Sequence, residues 1–317
     1  MADSRKSRST EALRSAVLNC LSRRVDPEHE LVVGLSGGVD SVVLLHAVRY
    51  AGYPVSALHV HHGLSRLADD WLGFCADLCR ELRVEFSVER VVVERDSADG
   101  LEAAARRARH AAYDRTDADW VLLAHHQRDR AETMLFNLLR GAGVRGAGAL
   151  RERSGRILRP LVRVDRTDII EYATANGLHW IEDDSNTDLR FSRNFLRHRV
   201  FPAIEERFPA ATGRLAAAAG HLSEAADLLD ELALMDLAAG KPEFPVCVDL
   251  LAGLTEARGR NVLRFLLWRA GVGIPSEERL TEALRQCLTA SPDRHPAIVF
   301  GDRVLRRRGK QVVLEVA

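Results

Sequence analysis

The sequence predicts an α/β chain: a mainly parallel sheet covered by helices on both faces, followed by a smaller, mainly helical domain with short terminal strands. Three observations carry this prediction. Between Leu31 and Leu139, short apolar runs alternate with helix-length segments, the pattern of successive strand–helix units. The first apolar run, Leu31 to Leu35, ends in a glycine turn and passes into the unbroken run Val42 to Val48, which reads as a helix. Beyond Phe208-Pro209 the chain becomes alanine- and leucine-rich with helical period. The expected domains are therefore residues 1–208 and 209–317.

The 317 residues allow two domains and an ample core. Lys+Arg and Asp+Glu both total 45, so bulk attraction to nucleic acid is excluded and any such site is a local patch. Lysine occurs only at Lys6, Lys241 and Lys310; the rest of the basic charge is arginine, which grips phosphate bidentately. The five cysteines are scattered, without a Cys-x-x-Cys pair. Cys75 and Cys79 share a helix face with Trp71, Phe74, Leu78 and Leu82 and read as buried thiols rather than a metal pair. This suggests a reducing cytoplasm. The segment Met1 to Thr10 is polar, and no apolar run reaches membrane-spanning length, so no membrane partner is expected.

In order, residues 11–24 read as an amphipathic helix with Leu13, Val17, Leu18 and Leu21 on one face. The strand Leu31–Leu35 leads into Ser36-Gly37-Gly38-Val39-Asp40-Ser41. A strand, a glycine turn and a helix N-terminus form an anion cradle of free N–H groups. The hexapeptide fits neither Gly-x-x-x-x-Gly-Lys-Ser/Thr nor Gly-x-Gly-x-x-Gly. Asp40 inside such a cradle repels phosphate unless it holds a bridging Mg²⁺; the plainer reading is a helix cap.

Val55–Val60 is the second strand and ends in His59-Val60-His61-His62-Gly63. Alternation puts His59 and His61 on one face. A polar strand end beside a nucleotide fits better than a metal site, since no local acid or cysteine completes one. A helix over 67–82, a strand over Val84–Val93 and the alanine-rich helix Glu102–Tyr113 follow, the last carrying Arg106, Arg107 and Arg109. Trp120–Ala124 is the next strand. It enters His125-His126-Gln127-Arg128-Asp129-Arg130-Ala131-Glu132-Thr133, where Asp129 and Glu132 share a helix face. They either compensate the helix dipole or form a metal-binding or base-orienting pair.

Arg140 to Arg166 holds eight arginines against Glu152 and Asp165, a basic, flexible stretch suited to a phosphate backbone. Asp165 caps a helix that Gly177 ends. The acidic loop Trp180 to Asp188 then feeds an arginine-rich helix, Arg193 to Pro202, read equally as a salt-bridge network or a functional element. The terminal domain is predicted as helices over 211–239, 256–270 and 276–289, then strands Ala297–Phe300, Arg303–Arg307 and Gln311–Val316.

The Ser36–Ser41 hexapeptide resembles the signature of the PP-loop ATP pyrophosphatases, which implies a PP-loop, Rossmann-like first domain. Further pieces narrow the resemblance. They are His59 to Leu64, His125 to Thr133 with Leu138 to Gly143, and Asp184-Ser185-Asn186 followed by Arg193-Asn194-Phe195-Leu196-Arg197. Together, over residues 30–205, they resemble the tRNA(Ile)-lysidine synthetase branch, in a shorter form without a further carboxy-terminal domain.

The resemblance implies ATP and Mg²⁺ as cofactors, with the isoleucine tRNA bearing a CAU anticodon and free L-lysine as partners. A homodimer is among the oligomers it allows. It places Ser36, Gly37, Gly38, Val39, Asp40 and Ser41 on the ATP phosphates, with Mg²⁺ on Asp40. It sets His125 beside an adenylated cytidine, Asp129 and Glu132 on the lysine amine, and Arg106 and Arg193 on phosphate charge, with Arg197 as a further partner. The terminal domain is expected to bind tRNA through Arg306, Arg307 and Arg308, matched by Arg145, Arg151 and Arg153 on the glycine-rich loop. Where the branch usually has aspartate and glutamine, this chain has Arg128 and Arg130. A tRNA cytidine thiolase, a small-molecule amidotransferase or NAD synthetase, and a non-catalytic tRNA-binding protein are the competing readings.

Overall fold

The computed structural model describes residues 2–94, 100–182, 192–237, 240–273, 275–290 and 296–317. Asp184-Ser185-Asn186 lies outside the described residues. The chain forms two compact units: residues 1–143 with 147–221, and residues 144–146 with 222–317.

The first unit begins with α1 (Ala2–Ser22). There follow β1 (Leu31–Gly34), α2 (Val39–Tyr50), β2 (Val55–His61), α3 (Ala68–Leu82), β3 (Glu85–Arg90), α4 (Leu101–Asp114), β4 (Trp120–Leu122) and α5 (Gln127–Leu139). After the single turn α6 (Val144–Ala147) come the short strands β5 (Arg153–Ser154) and β6 (Ile157–Leu158), which periodicity over two residues cannot reveal, and α7 (Arg166–Ala175). A helical run then joins α8 (Ser192–Phe195), a π turn over Leu196–Val200 and α9 (Phe201–Arg207).

The strand order is β3-β2-β1-β4-β6-β5, parallel except for the β5–β6 hairpin. Alternation decides which side chain faces which layer. Leu31, Val33, Ala57 and Leu122 pack with α1, α2 and α7 side chains such as Leu13, Val43 and Tyr172. Their neighbours Val32, Leu58, Val121 and Leu123 pack on the other face with Ala112 and Tyr113 of α4. The sheet is thus covered on both faces, as the apolar runs required.

Topology positions the site. From β1 the chain steps outward to β2 and β3, then returns to place β4 on the other side of β1. The carboxyl ends of β1 and β4 therefore flank the reversal point, where open α/β sheets hold ligands.

The second unit contains the end of α10 (Ala211–Asp236), β7 (Val246–Cys247), α11 (Val248–Ala252), α12 (Glu256–Arg269) and α13 (Glu277–Thr289). It closes with β8 (Ala297–Phe300), β9 (Arg303–Arg308) and β10 (Gln311–Val316). Its antiparallel sheet runs β7-β10-β9-β8 around a core including Val262, Leu266, Leu284, Leu305 and Val312. No helix among the described residues is long and apolar enough to cross a membrane.

Candidate active site

The loop after β1 is held open by its own hydroxyls. Ser41 Oγ donates to Gly38 O (2.9 Å) and accepts from the Ser36 amide (3.2 Å), and the Ser36 and Ser41 hydroxyls lie 3.1 Å apart. The two glycines do different work. Gly37 has φ +86°, and a Cβ there would stand 2.7 Å from Ile181 Cδ1; its carbonyl accepts the Ile181 amide at 2.9 Å. Gly38, by contrast, has ordinary φ −70° and only Ser36 Oγ near, 3.6 Å from an added Cβ. Its missing side chain leaves the mouth of the cradle clear at the start of α2, where first-turn N–H groups have no intrahelical partner.

Asp40, in the first turn of α2, faces the end of β4. His126 Nε2 lies 3.8 Å from Asp40 Oδ1 and 3.5 Å from Asp129 Oδ2. His126 is itself fixed as the cap of α5. Its Nδ1 accepts the Arg128 amide (3.2 Å), and its own amide donates to Asp129 Oδ2 (2.9 Å). Because Nδ1 accepts, the ring proton of neutral His126 sits on Nε2, toward both carboxylates.

Burial pushes the Asp40 carboxyl above its ordinary range, with Asp129 adding to the rise and His126 opposing it. Asp40 Oδ1 is buried without a hydrogen-bond partner. Burial would raise Asp129 too, but His126, His125, the His126 amide and Arg197 outweigh it and hold that carboxyl low. An orphaned carboxylate oxygen at the rim of a phosphate cradle fits a hard divalent cation completed by phosphate and water oxygens. No group of three or more acid, histidine or cysteine side chains suited to a metal exists among the described residues.

The α8–α9 run supplies Arg197 from its π turn. Arg197 Nε donates to Glu132 Oε1 (2.9 Å), and Nη2 donates to Glu132 Oε2 (2.7 Å) and Asp129 Oδ1 (3.3 Å). Glu132 is 3% exposed. Arg128 adds a second cation, its Nε 3.4 Å from Glu132 Oε1.

His62, Ala105, Arg106, Arg109 and Arg193 line one cleft. Burial, reinforced by Arg109, pushes the His62 imidazole down to about 4. His59 Nδ1 donates to Leu35 O (2.9 Å), and His61 reaches Asp69 at 3.2 Å. The two rings lie on one strand face, 6.4 Å apart. His125 sits at the end of β4 beside buried Arg159, whose Nε donates to His125 Nδ1 at 3.3 Å.

A family described as PP-loop domain matches residues 8–204, and one described as TilS substrate binding domain matches residues 247–313. A tRNA(Ile)-lysidine synthase of Aromatoleum aromaticum is 50% identical over 83% of this chain and 63% of that protein. One of Nitrosomonas europaea is 41% identical over 93% of this chain and 67% of that protein. The chain belongs to the tRNA(Ile)-lysidine synthase family. It spans about two thirds of the length of these relatives. Among solved structures, the U34-tRNA thiolase NcsA of Methanococcus maripaludis matches 69% of this chain and 80% of its own at TM-score 0.57 and 16% identity, a likeness of fold alone.

Against what the lysidine synthase resemblance led us to expect, most named residues converge, and some change partners. Ser36 to Ser41 form the cradle, and Arg106 and Arg193 meet in one cleft. Arg197, expected on phosphate, instead pairs with Glu132 and Asp129. Glu132, expected on the lysine amine, has both oxygens on Arg197.

Several arginines expected on tRNA are turned to structural use. Arg145 pairs with Asp230 and stacks over Trp268, 4.3 Å from the ring centre. Arg307 donates to the carbonyls of Cys287, Leu288 and Ala290 at the end of α13. Arg306 and Arg308 share Glu315. The basic stretch before α7 is also partly internal, since Arg156 donates to the carbonyls of Tyr113, Thr116 and Ala118.

Sequence reasoning missed His126 and Arg159. A histidine three residues before Asp129, at the start of a helix, carries a capping-box spacing that would have found the first. Nothing in the local sequence marks the second.

Proposed function

We propose that the chain ligates L-lysine to carbon 2 of the wobble cytidine of the isoleucine tRNA with a CAU anticodon. In this reading the carbon-2 oxygen of the base attacks the ATP α-phosphorus and pyrophosphate leaves. The lysine amine then attacks carbon 2, and AMP leaves. The observation that carries the reading is the meeting of Asp40, His126 and Asp129 at the reversal point of the sheet, beside the Ser36–Ser41 loop.

The cradle residues Ser36 to Ser41 hold the departing phosphates. Asp40 holds Mg²⁺, which neutralises phosphate charge when bound. Arg106 and Arg193 balance the charge of the transferred phosphoryl group. His125 stands beside the adenylated base. Asp129, kept ionised, draws the cationic lysine amine, while Glu132 fixes Arg197 against the same carboxylate. That pair already attracts one cation, so lysine competes with Arg197 for Asp129 oxygen. The terminal unit, matching a substrate-binding domain, contributes to tRNA binding in the cytoplasm.

The test is incubation of the chain with tRNA, ATP, Mg²⁺ and L-lysine, followed by nucleoside analysis of the tRNA and assay of pyrophosphate. Lysidine formation that needs all of them supports the reading. Pyrophosphate release without lysidine, or a thiolated cytidine only when a sulfur donor is added, rejects it.

A further inference from the structure

We propose that Arg159 is a positioning residue that fixes His125 as the neutral Nε2–H tautomer, so that His125 meets the substrate as a hydrogen-bond donor and not as a base. The proposal rests on the reading of His125 as facing the adenylated base.

The geometry begins with strand register. β4 and β6 pair in parallel, with Val121 opposite Ile157 and Leu122 opposite Leu158, and Leu123 N donates to Leu158 O. The next residue of each chain path therefore leaves the sheet at the same edge. Arg159 follows β6 directly, and His125 follows β4 by three residues. Arg159 is anchored from both ends. Its amide donates to Glu152 O (2.8 Å), its Nη1 donates to Arg151 O (2.9 Å), and it is 4% exposed.

A guanidinium has donors and no acceptor. When Arg159 Nε–H points at His125 Nδ1 across 3.3 Å, Nδ1 must offer its lone pair, and the single proton of neutral imidazole is left on Nε2. A second proton on Nδ1 would face the guanidinium head-on.

The charges around His125 favour the same state. Burial first, then Arg159, Arg106 and Arg109, oppose its protonation; Asp129 favours it; the net result is a pKa near 3. Arg159 is also strained by its setting. Burial, then Arg106, pulls its pKa down to about 10, so it stays charged at neutral pH. A buried guanidinium aimed at an imidazole and flanked by a second arginine is costly for stability. Fixing the ring in one tautomer gives that arrangement a use.

The chemical consequence is a division of labour. Nε2 already carries a proton, so His125 cannot take one from the lysine amine. It can donate to an oxygen on which charge develops, the phosphoryl oxygen or the carbon-2 oxygen as it leaves. Proton acceptance is left to a carboxylate, of which Asp129 is the ionised one nearby.

The test reads the tautomer itself. Side-chain ¹⁵N spectra of the wild-type chain, with the His125 signals assigned by their loss in His125→Gln, should show the Nε2–H form from pH 8 to 5. In Arg159→Met, His125 should become a tautomer mixture and titrate at higher pH. Arg159→Gln, which retains an N–H donor, serves if Arg159→Met fails to fold, and should keep the Nε2–H form. In turnover, His125→Gln, whose amide N–H overlies Nε2–H, should stay within about tenfold of wild type, while His125→Ala should lose about a hundredfold or more. A wild-type Nδ1–H signal overturns the proposal, as does a His125 spectrum unchanged in Arg159→Met. Absence of lysidine with the expected tautomer would reject the proposed function and leave the role of Arg159 standing.

Discussion

Asp40 carries a cost that its chemistry explains. Its Oδ1 is buried without a partner, and burial raises its pKa, so the ionised side chain opposes folding once the pH exceeds the ordinary carboxylate value. Asp40→Asn should therefore leave thermal stability equal or higher. The same change should cut AMP formation by about a hundredfold or more, through loss of a metal carboxylate. A variant that loses stability and keeps turnover would make Asp40 a structural cap. Glu132 is the opposite case. Both its oxygens serve Arg197, so Glu132→Gln should cost about 1.5–3 kcal/mol of stability, the range for hydrogen bonds to charged groups. With the Glu132 charge gone, Arg197 should turn more fully to Asp129 and compete harder with lysine there, so the lysine KM should rise more than the ATP KM; equal increases would point to a role on phosphate or metal.

At the scale of elements, the strand–turn–helix unit from β1 to α2 separates two glycines that look alike in sequence. Gly37→Ala places a Cβ against Ile181 at positive φ and should cost about 1–3 kcal/mol, as overpacking does. Gly38→Ala meets almost nothing. It should fold within about 0.5 kcal/mol of wild type, as unconstrained positions do, yet raise the ATP KM. Titration of both variants with ATP, beside their melting curves, checks this; loss of stability in Gly38→Ala would refute the division.

The cradle, the order of strands and helices and the two acids after β4 were legible because each depends on local pattern: period, glycine, early acid in a helix. The partners were not legible. Arg197 reaches Glu132 across 65 positions of sequence and Arg159 reaches His125 across 34, and only the folded sheet edge brings them together. Counting arginines between Arg140 and Arg166 also overstated the basic surface, because Arg145, Arg156 and Arg159 point inward to a carboxylate, to carbonyls and to an imidazole.

Across the whole molecule, buried histidines set the acid limit of stability. His46, 5% exposed, shares a 2.9 Å hydrogen bond with Tyr172 OH. Burial, then Arg14, pushes its pKa down to about 4. His62 and His110 are lowered to about 4 as well, each by burial first. Above the unfolded value of about 6.5 these rings are neutral in both states and cost nothing. As pH falls from there toward 4, the unfolded chain takes protons that the folded chain refuses, and stability declines. Asp40 works in the other sense, since its penalty is relieved as it protonates. The melting temperature should fall between pH 6.5 and 4, and His46→Gln should make that slope shallower. An identical slope in the variant would remove His46 from the account.

The first turn of α5 closes on the same side chains that gather beside Asp40: the His126 amide is on Asp129 and the Arg128 amide is on His126. Whatever settles on those carboxylates therefore grips the end of a helix. Fraying of that end and occupancy of the site become one equilibrium, so the exchange of two backbone protons with heavy water is a clock for binding. Deuterium uptake at the His126 and Arg128 amides should slow when ATP with Mg²⁺ is added, with no dye, label or turnover needed to see it.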